Sequence, residues 1–422
     1  MNVTDTFVRY LMNKQDKISA SVIQKAKECR FDYLAVVTAG AERSYSHWEK
    51  LLKNIPDGKS ALYGYDMKTD SKTAALINGF NAHCLELDDG QRFAMIHLGA
   101  AIISAIDAVS CEYDISRESY YNGIITGYEA ACRMAIAMQP SHKNKGYHTA
   151  GTCGTIGAAI GTAVALQFDE NQLKRVLTLA AASSAGMLEI QEQASELKPY
   201  NLGRAAMDGV AAALMGYTDF EVPDDMMGGE RGFFHIFSDS YDAGRLTSDA
   251  DYFEIERIYV KPYVSCRHSH SAVEAAIKLH ENVSVNDIEY VEVKTYKLGV
   301  KGHDHNEISG IASAKLSTPY AVAAGLIYGK ADLSVFEPLD ENILKLASKV
   351  WVKEDETLTK ESKQKRAAMV TVFLSDGSKA EYRVDYAKGE PENPMNVSDL
   401  VNKASSLIGE KETKELYEQI FS

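Results

Sequence analysis

Gly151-Thr152-Cys153-Gly154-Thr155-Ile156-Gly157-Ala158-Ala159-Ile160-Gly161 is the stretch on which the fold turns. Its glycines fall at i, i+3, i+6 and i+10, which is not the GxGxxG spacing of a dinucleotide site, and it lacks the GK[ST] ending of a phosphate loop. Small residues at that spacing let a second helix approach closely. The expectation is a tightly packed helix and no bound nucleotide.

The segments around it agree. Ser71 to Leu87 and Gly99 to Ser110 are apolar around most of the helix, as in a helix buried on all sides. Ser19 to Val37 carries an apolar face near helical period. To about residue 235 the chain reads almost entirely as helix. After residue 250 the pattern changes to alternation, in Asp251–Val260 and again in Ile288–Tyr296. Ala368–Leu374 and Ala380–Asp385 flank Ser375-Asp376-Gly377-Ser378, a hairpin signal in which Asp-Gly supplies the positive-φ turn. Helical stretches at Ser271–His280 and Ser317–Ile327 make this half a mixed α+β unit. Val397–Phe421 returns to helix and is able to pack back on the first domain.

At 422 residues the chain is long for one core, and two domains are expected. Hydrophobic residues make up 45% and charged residues 25%, the balance of a soluble globular protein. A net charge of −14 argues against a nucleic-acid partner. It leaves an anionic substrate open, because a local cluster of Lys, Arg and His inverts the potential in one cleft. No basic n-region opens the sequence and no apolar run reaches membrane length, so neither secretion nor a membrane is expected. The six cysteines form no CxxC, which suits reduced thiols in the cytoplasm.

Two lysines stand before Pro-Tyr, in Lys198-Pro199-Tyr200-Asn201-Leu202-Gly203 and Lys261-Pro262-Tyr263-Val264-Ser265-Cys266-Arg267-His268. Each proline biases its lysine toward an extended backbone, and a stiff, aromatic-flanked lysine is preorganised to meet a carboxylate. Asp88-Asp89 ends an apolar helix, where it reads equally as a helix stop, a metal site or a polar network. His97 opens the next helix and His148 precedes the glycine-spaced one; the positive end of a helix dipole favours a neutral, proton-accepting imidazole. His268-Ser269-His270 and His303-Asp304-His305 are HxH pairs that on a strand would point to one side. Without HExxH or a third ligand at a defined spacing, no metal is expected. The absence of GxSxG removes a serine nucleophile.

Taken in order, Asn78-Gly79 through Asp88-Asp89, His97-Leu98-Gly99-Ala100, Gly146-Tyr147-His148-Thr149-Ala150-Gly151-Thr152, the Lys198 segment through Ala206, Gly229-Glu230-Arg231-Gly232-Phe233, Lys261-Pro262-Tyr263 with Cys266 to His270, and Ala314-Lys315-Leu316-Ser317-Thr318-Pro319-Tyr320 resemble the MmgE/PrpD family. That family includes 2-methylcitrate dehydratases, cis-aconitate decarboxylases and iminodisuccinate epimerase. The resemblance implies a mainly α fold: a large all-helical domain from residues 1–245 and 392–422, a smaller α+β lid domain from 246–391, a homodimer, and a cofactor-free site between the domains. It also implies catalytic roles for His97, His148, Lys198, Lys261 and Tyr320, with Asp88, Asp89, Arg267, Cys266 and Tyr147 on the substrate. Two departures stand out. Gly90 follows Asp89 where the decarboxylases carry Thr, and Cys266 stands where they carry His. Both count against decarboxylation and leave Arg267 to bind a carboxylate.

The expected activity is therefore a cofactor-independent lyase, a hydro-lyase first, removing a proton next to a carboxylate of a small di- or tricarboxylate. Either histidine could be the base, with His148 favoured for the room that Gly146 and Thr149-Ala150-Gly151 leave around it. Epimerisation and decarboxylation are the alternatives within the family. A metal-dependent hydrolase and an inactive polycarboxylate-binding protein are the alternatives outside it.

Overall fold

A computed structural model describes residues 2–248 and 250–422 of the chain, which is mainly α, 58% helical and 9% strand. It divides into two compact units. Met1–Glu192, Glu196–Tyr259 and Asn396–Ser422 form one, and Val260–Met395 with Gln193–Ser195 the other.

In the first unit the chain runs through α1 (Val3–Gln15), α2 (Ala20–Leu52), α3 (Ser71–Cys84), α4 (Gly99–Ser110), α5 (Arg117–Met138), α6 (Thr149–Ala165), α7 (Glu170–Ser183) and α8 (Tyr200–Leu214). Asn2, Ser19, Asp70, Ser116 and Asp169 each start a helix by accepting a backbone N–H with the side chain. The glycine-spaced stretch is α6, and every one of its residues is buried. A Cβ added at Gly157 would come within 2.8 Å of the Gly127 carbonyl oxygen, and one at Gly161 within 2.8 Å of that of Gly123. Only glycine lets α5 and α6 meet this closely. The buried Thr155 hydroxyl donates to the Gly151 carbonyl one turn back (2.9 Å), so the small polar residues cost little here.

Two details differ from the sequence reading. The first unit is not wholly helical: β1 (Ser60–Leu62) pairs antiparallel with β2 (Met67–Thr69) around Gly64 at φ 75°. Asp251–Val260 is not a strand, since Glu254–Arg257 is a 3₁₀ turn and only Tyr259 makes a bridge, with Gly90. The side chains outcompete a ladder there. The Glu254 N–H donates to Glu129 Oε2 (2.7 Å) and its own carboxylate accepts from Gln91 (2.8 Å).

In the second unit α9 (His270–His280) packs against α10 (Thr318–Tyr328) and against a sheet of β3 (Ile288–Thr295), β4 (Val350–Glu354), β5 (Ala368–Leu374) and β6 (Lys379–Val384). The order is β4-β3-β5-β6, with β3 parallel to β4 and the other pairs antiparallel. Gly377, at φ 82°, makes the β5–β6 turn that Asp-Gly foretold.

Helices α11 (Val397–Ile408) and α12 (Glu410–Phe421) then complete the first unit. Lys403 on α11 is ion-paired with the buried Asp32 at 2.6 Å and donates to the Leu87 carbonyl at 2.7 Å. The C-terminal part of the chain thereby supports the turn that carries the two aspartates.

Candidate active site

That turn begins where α3 ends. Glu86 adopts φ 56°, a left-handed backbone uncommon outside glycine, and the chain reverses through Leu87-Asp88-Asp89. Asp89 is held by its neighbours: Oδ1 accepts from the N–H groups of Leu98 (3.3 Å) and Gly99 (2.9 Å), and Oδ2 accepts from the Tyr128 hydroxyl (2.5 Å). It supplies the start of α4 with a carboxylate that Leu98 itself lacks. Burial pushes its pKa up to about 6, against the pull of the Tyr128 and Gly99 bonds. Asp89 thus ties the turn to the start of α4 and to Tyr128.

Asp88 faces the other way. Its Oδ2 lies 2.8 Å from His83 Nδ1 and 3.2 Å from His97 Nδ1. His97 Nδ1 is also 3.0 Å from the Asp89 carbonyl oxygen, which only accepts, so this nitrogen carries a hydrogen. The Nε2 lone pair is left available on a side chain 16% exposed. His83 is fully buried, its ring 4.7 Å from that of His97. Burial lowers its pKa to about 4, outweighing the opposing effect of Asp88, and keeps it neutral. Its Nε2 faces Glu86 Oε1 at 3.5 Å, and Glu86 in turn ion-pairs with Lys198, two residues before α8.

His148 stands at the N-cap of α6. Asn201, in the first turn of α8, donates from Nδ2 to His148 Nδ1 at 2.9 Å, and the same Nδ2 lies 3.5 Å from the Met187 carbonyl oxygen. Nδ1 is therefore the acceptor, and neutral His148 carries its hydrogen on Nε2. Burial drives the imidazole pKa well below its ordinary value, with the charge of Lys198 adding to it. The two histidines are thus held in opposite tautomers, one exposing a lone pair and the other an N–H.

Donor atoms of His83, Asp88 and His97 all lie within 4.8 Å of one another, a spacing one cation could share. As arranged, the Nδ1 hydrogens of both rings point at Asp88 and at the Asp89 carbonyl, so these nitrogens act as proton donors.

Of the expected site residues, Asp88, Asp89, His97, His148 and Lys198 come together in the first unit. Tyr147 is beside them in sequence but stacks on His142 (5.2 Å, 14° between planes), with its backbone bridged to Met187. Lys261, Cys266, Arg267 and Tyr320 belong to the second unit. Lys261 is fully buried. Arg267 is buried and ion-paired with Glu390. Tyr320, expected to move a proton, is buried, donates its hydroxyl to the Val335 carbonyl (3.1 Å) and accepts from the Asp340 N–H (3.3 Å). The HxH pairs meet through His268 and His303, whose rings stack at 5.2 Å, while His270 Nε2 meets the Ser265 carbonyl and His305 Nε2 meets Ser313; neither pair lies on a strand.

His83, Glu86 and Asn201 were not picked out from the sequence. Their only signals are spacing, a histidine five residues before Asp88 and an asparagine three after Lys198.

The model of the MmgE/PrpD N-terminal domain matches residues 6–245, and that of the MmgE/PrpD C-terminal domain residues 263–421. The chain is 24% identical over 467 residues to the cis-aconitate decarboxylase-like protein oryM of Aspergillus oryzae, covering 100% of this chain and 94% of the relative. It is 22% identical over 423 residues to cis-aconitate decarboxylase of Mus musculus, covering 95% and 86%. With the Homo sapiens cis-aconitate decarboxylase it shares 22% over 262 residues, 60% of this chain and 53% of that one.

Proposed function

The chain belongs to the MmgE/PrpD family, and from that premise we propose that it is a lyase that removes a proton next to a carboxylate of a small di- or tricarboxylate. The opposite tautomers of His97 and His148 carry this reading.

His97 is the base. Its Nε2 takes the proton from carbon, and the resulting imidazolium is stabilised by Asp88 at 3.2 Å from Nδ1. This reverses the assignment favoured from the sequence, because His148, locked as an Nε2–H donor, has no lone pair to offer on that side. The electrons left on carbon spread into the adjacent carboxylate. Lys198 and the His148 N–H stabilise that charge, and a fixed donor in a dry site is worth far more than one in water. His97 then returns its proton to the departing hydroxyl, so the net change is loss of water and formation of a C=C bond.

Decarboxylation is the second reading, favoured by the names of the relatives. There the C–C bond to a carboxylate breaks, CO₂ leaves, and protonated His97 supplies the carbon left behind. Incubating the protein with citrate, 2-methylcitrate, cis-aconitate and iminodisuccinate in deuterated water, followed by NMR, distinguishes elimination, exchange and CO₂ loss. No change in any of the four would refute the proposal.

A further inference from the structure

The proposed reaction leaves unused a thiol–imidazole pair in the second unit. Cys266 precedes the 3₁₀ turn Arg267–Ser269 that runs into α9, and its backbone N–H donates to the Lys315 carbonyl at 2.8 Å. Its Sγ lies 3.6 Å from His303 Nε2. The other nitrogen of that ring, Nδ1, is 3.0 Å from the Leu316 carbonyl oxygen and must carry the hydrogen. Nε2 therefore presents a lone pair to the thiol. His303 is held at its backbone too, donating to Val300 (2.9 Å) and accepting from Thr318 (2.8 Å). A nucleophile, a base, and a group orienting the base are all present.

Charged and titratable groups surround the pair. The His268 ring stacks on His303 at 5.2 Å, with its own Nδ1 2.6 Å from the Tyr296 hydroxyl. Arg267 and Arg366 both act on Tyr296 beside Cys266. Lys315 is paired with Glu337 (2.8 Å), Arg267 with Glu390, and exposed Asp304 is next in sequence to His303. The N-terminus of α9 adds its partial positive charge.

The other five cysteines are unlike it. Burial pushes the pKa of Cys29, Cys132 and Cys153 up, which keeps them protonated. Cys84 and Cys111 donate to backbone carbonyls rather than facing an imidazole. Cys266 is partly exposed, so a reagent can reach it.

We propose that Cys266 and His303 form a thiolate–imidazolium pair that makes Cys266 a covalent modification site for electron-poor alkenes conjugated to a carbonyl group. Such an addition uses both members of the pair. The thiolate attacks the β-carbon, an S–C bond forms as the π bond breaks, and the electron pair passes to the α-carbon. That carbon takes the proton held by His303. The product is the net addition of S–H across C=C, with no oxidant and no leaving group.

The test treats the full-length protein at pH 7 with limiting N-ethylmaleimide and maps the adducts by mass spectrometry, with exposed Cys111 as internal reference. Cys266 is expected to react about 10-fold faster than Cys111 or more, and His303→Asn to bring it down to the reference rate. Equal labelling of the two cysteines, or an unchanged Cys266 rate in His303→Asn, overturns the proposal. Should that variant fold poorly, the ultraviolet difference spectrum between wild type and Cys266→Ser decides independently. Thiolate absorbance near neutral pH supports the pair, and its absence overturns it.

Discussion

Asn201 Nδ2 donates to His148 Nδ1 across 2.9 Å, and that one bond fixes which side of a buried imidazole carries the hydrogen. Replacing Asn201 with Asp inverts the relationship, because a carboxylate accepts only and requires a hydrogen on Nδ1. We expect Asn201→Asp to raise the His148 pKa and lower kcat/KM by about 10²-fold, the scale of losing one oriented donor. Imidazole ¹⁵N shifts report the tautomer directly; unchanged shifts with unchanged rate would dissociate Asn201 from the chemistry.

The two histidines should fail differently. His97→Gln is expected to abolish solvent deuterium exchange into substrate, since no group replaces the Nε2 lone pair. His148→Gln should slow net turnover while detectable exchange persists, because a donor is weakened and the base remains. The reverse pattern would return the base to His148.

Lys198 is ion-paired with Glu86, which also faces His83 at 3.5 Å. Lys198→Met keeps the stem packing and removes the charge. Loss of at least about 10²-fold in kcat/KM is expected, with folding retained. Near-normal kinetics would move the site elsewhere.

Asp89 gives a pH dependence of stability. Its folded-state pKa, about 6, is raised above the ordinary 3.8, so between these values the folded protein binds more protons than the unfolded chain. Stability from this group is fully present below about 3.8 and is withdrawn as pH rises through about 6. Melting temperatures of wild type should therefore gain on those of Asp89→Asn as pH falls from 6 toward 4. Parallel curves would show that the carboxyl titrates alike in both states.

The sequence carries no HExxH or other metal motif that would complete the His83, Asp88 and His97 cluster. Activity is accordingly expected to survive exhaustive chelation. Recovery only on adding zinc or iron would convert the cluster into a metal centre.

Much of the helical fold was legible because its signals are local. The glycines of α6 announced close packing, and Asp376-Gly377 announced the β5–β6 hairpin. Asp251–Val260 misled because alternation was read without its partners, the long-range bonds of Glu254 to Gln91 and Glu129. The same limit applied to the site. His97, His148 and Lys198 lie in motifs, whereas the tautomer of each imidazole is set by Asp89 and by Asn201, 53 residues away from His148. Tyr320 and Arg267 sit in equally recognisable motifs, and their contacts with Val335, Asp340 and Glu390 are just as invisible in the sequence.

Lys403 reaches back to Asp32 and to the Leu87 carbonyl, at 2.6 and 2.7 Å. During synthesis the segment holding Asp32, Leu87 and Asp88 leaves the ribosome long before the helix that neutralises it. Until α11 arrives, Asp32 is a carboxylate that burial would penalise without its counter-ion. The nascent chain has reason to keep this turn solvated, and a competent site would form only once α11 docks, open to chaperones until then.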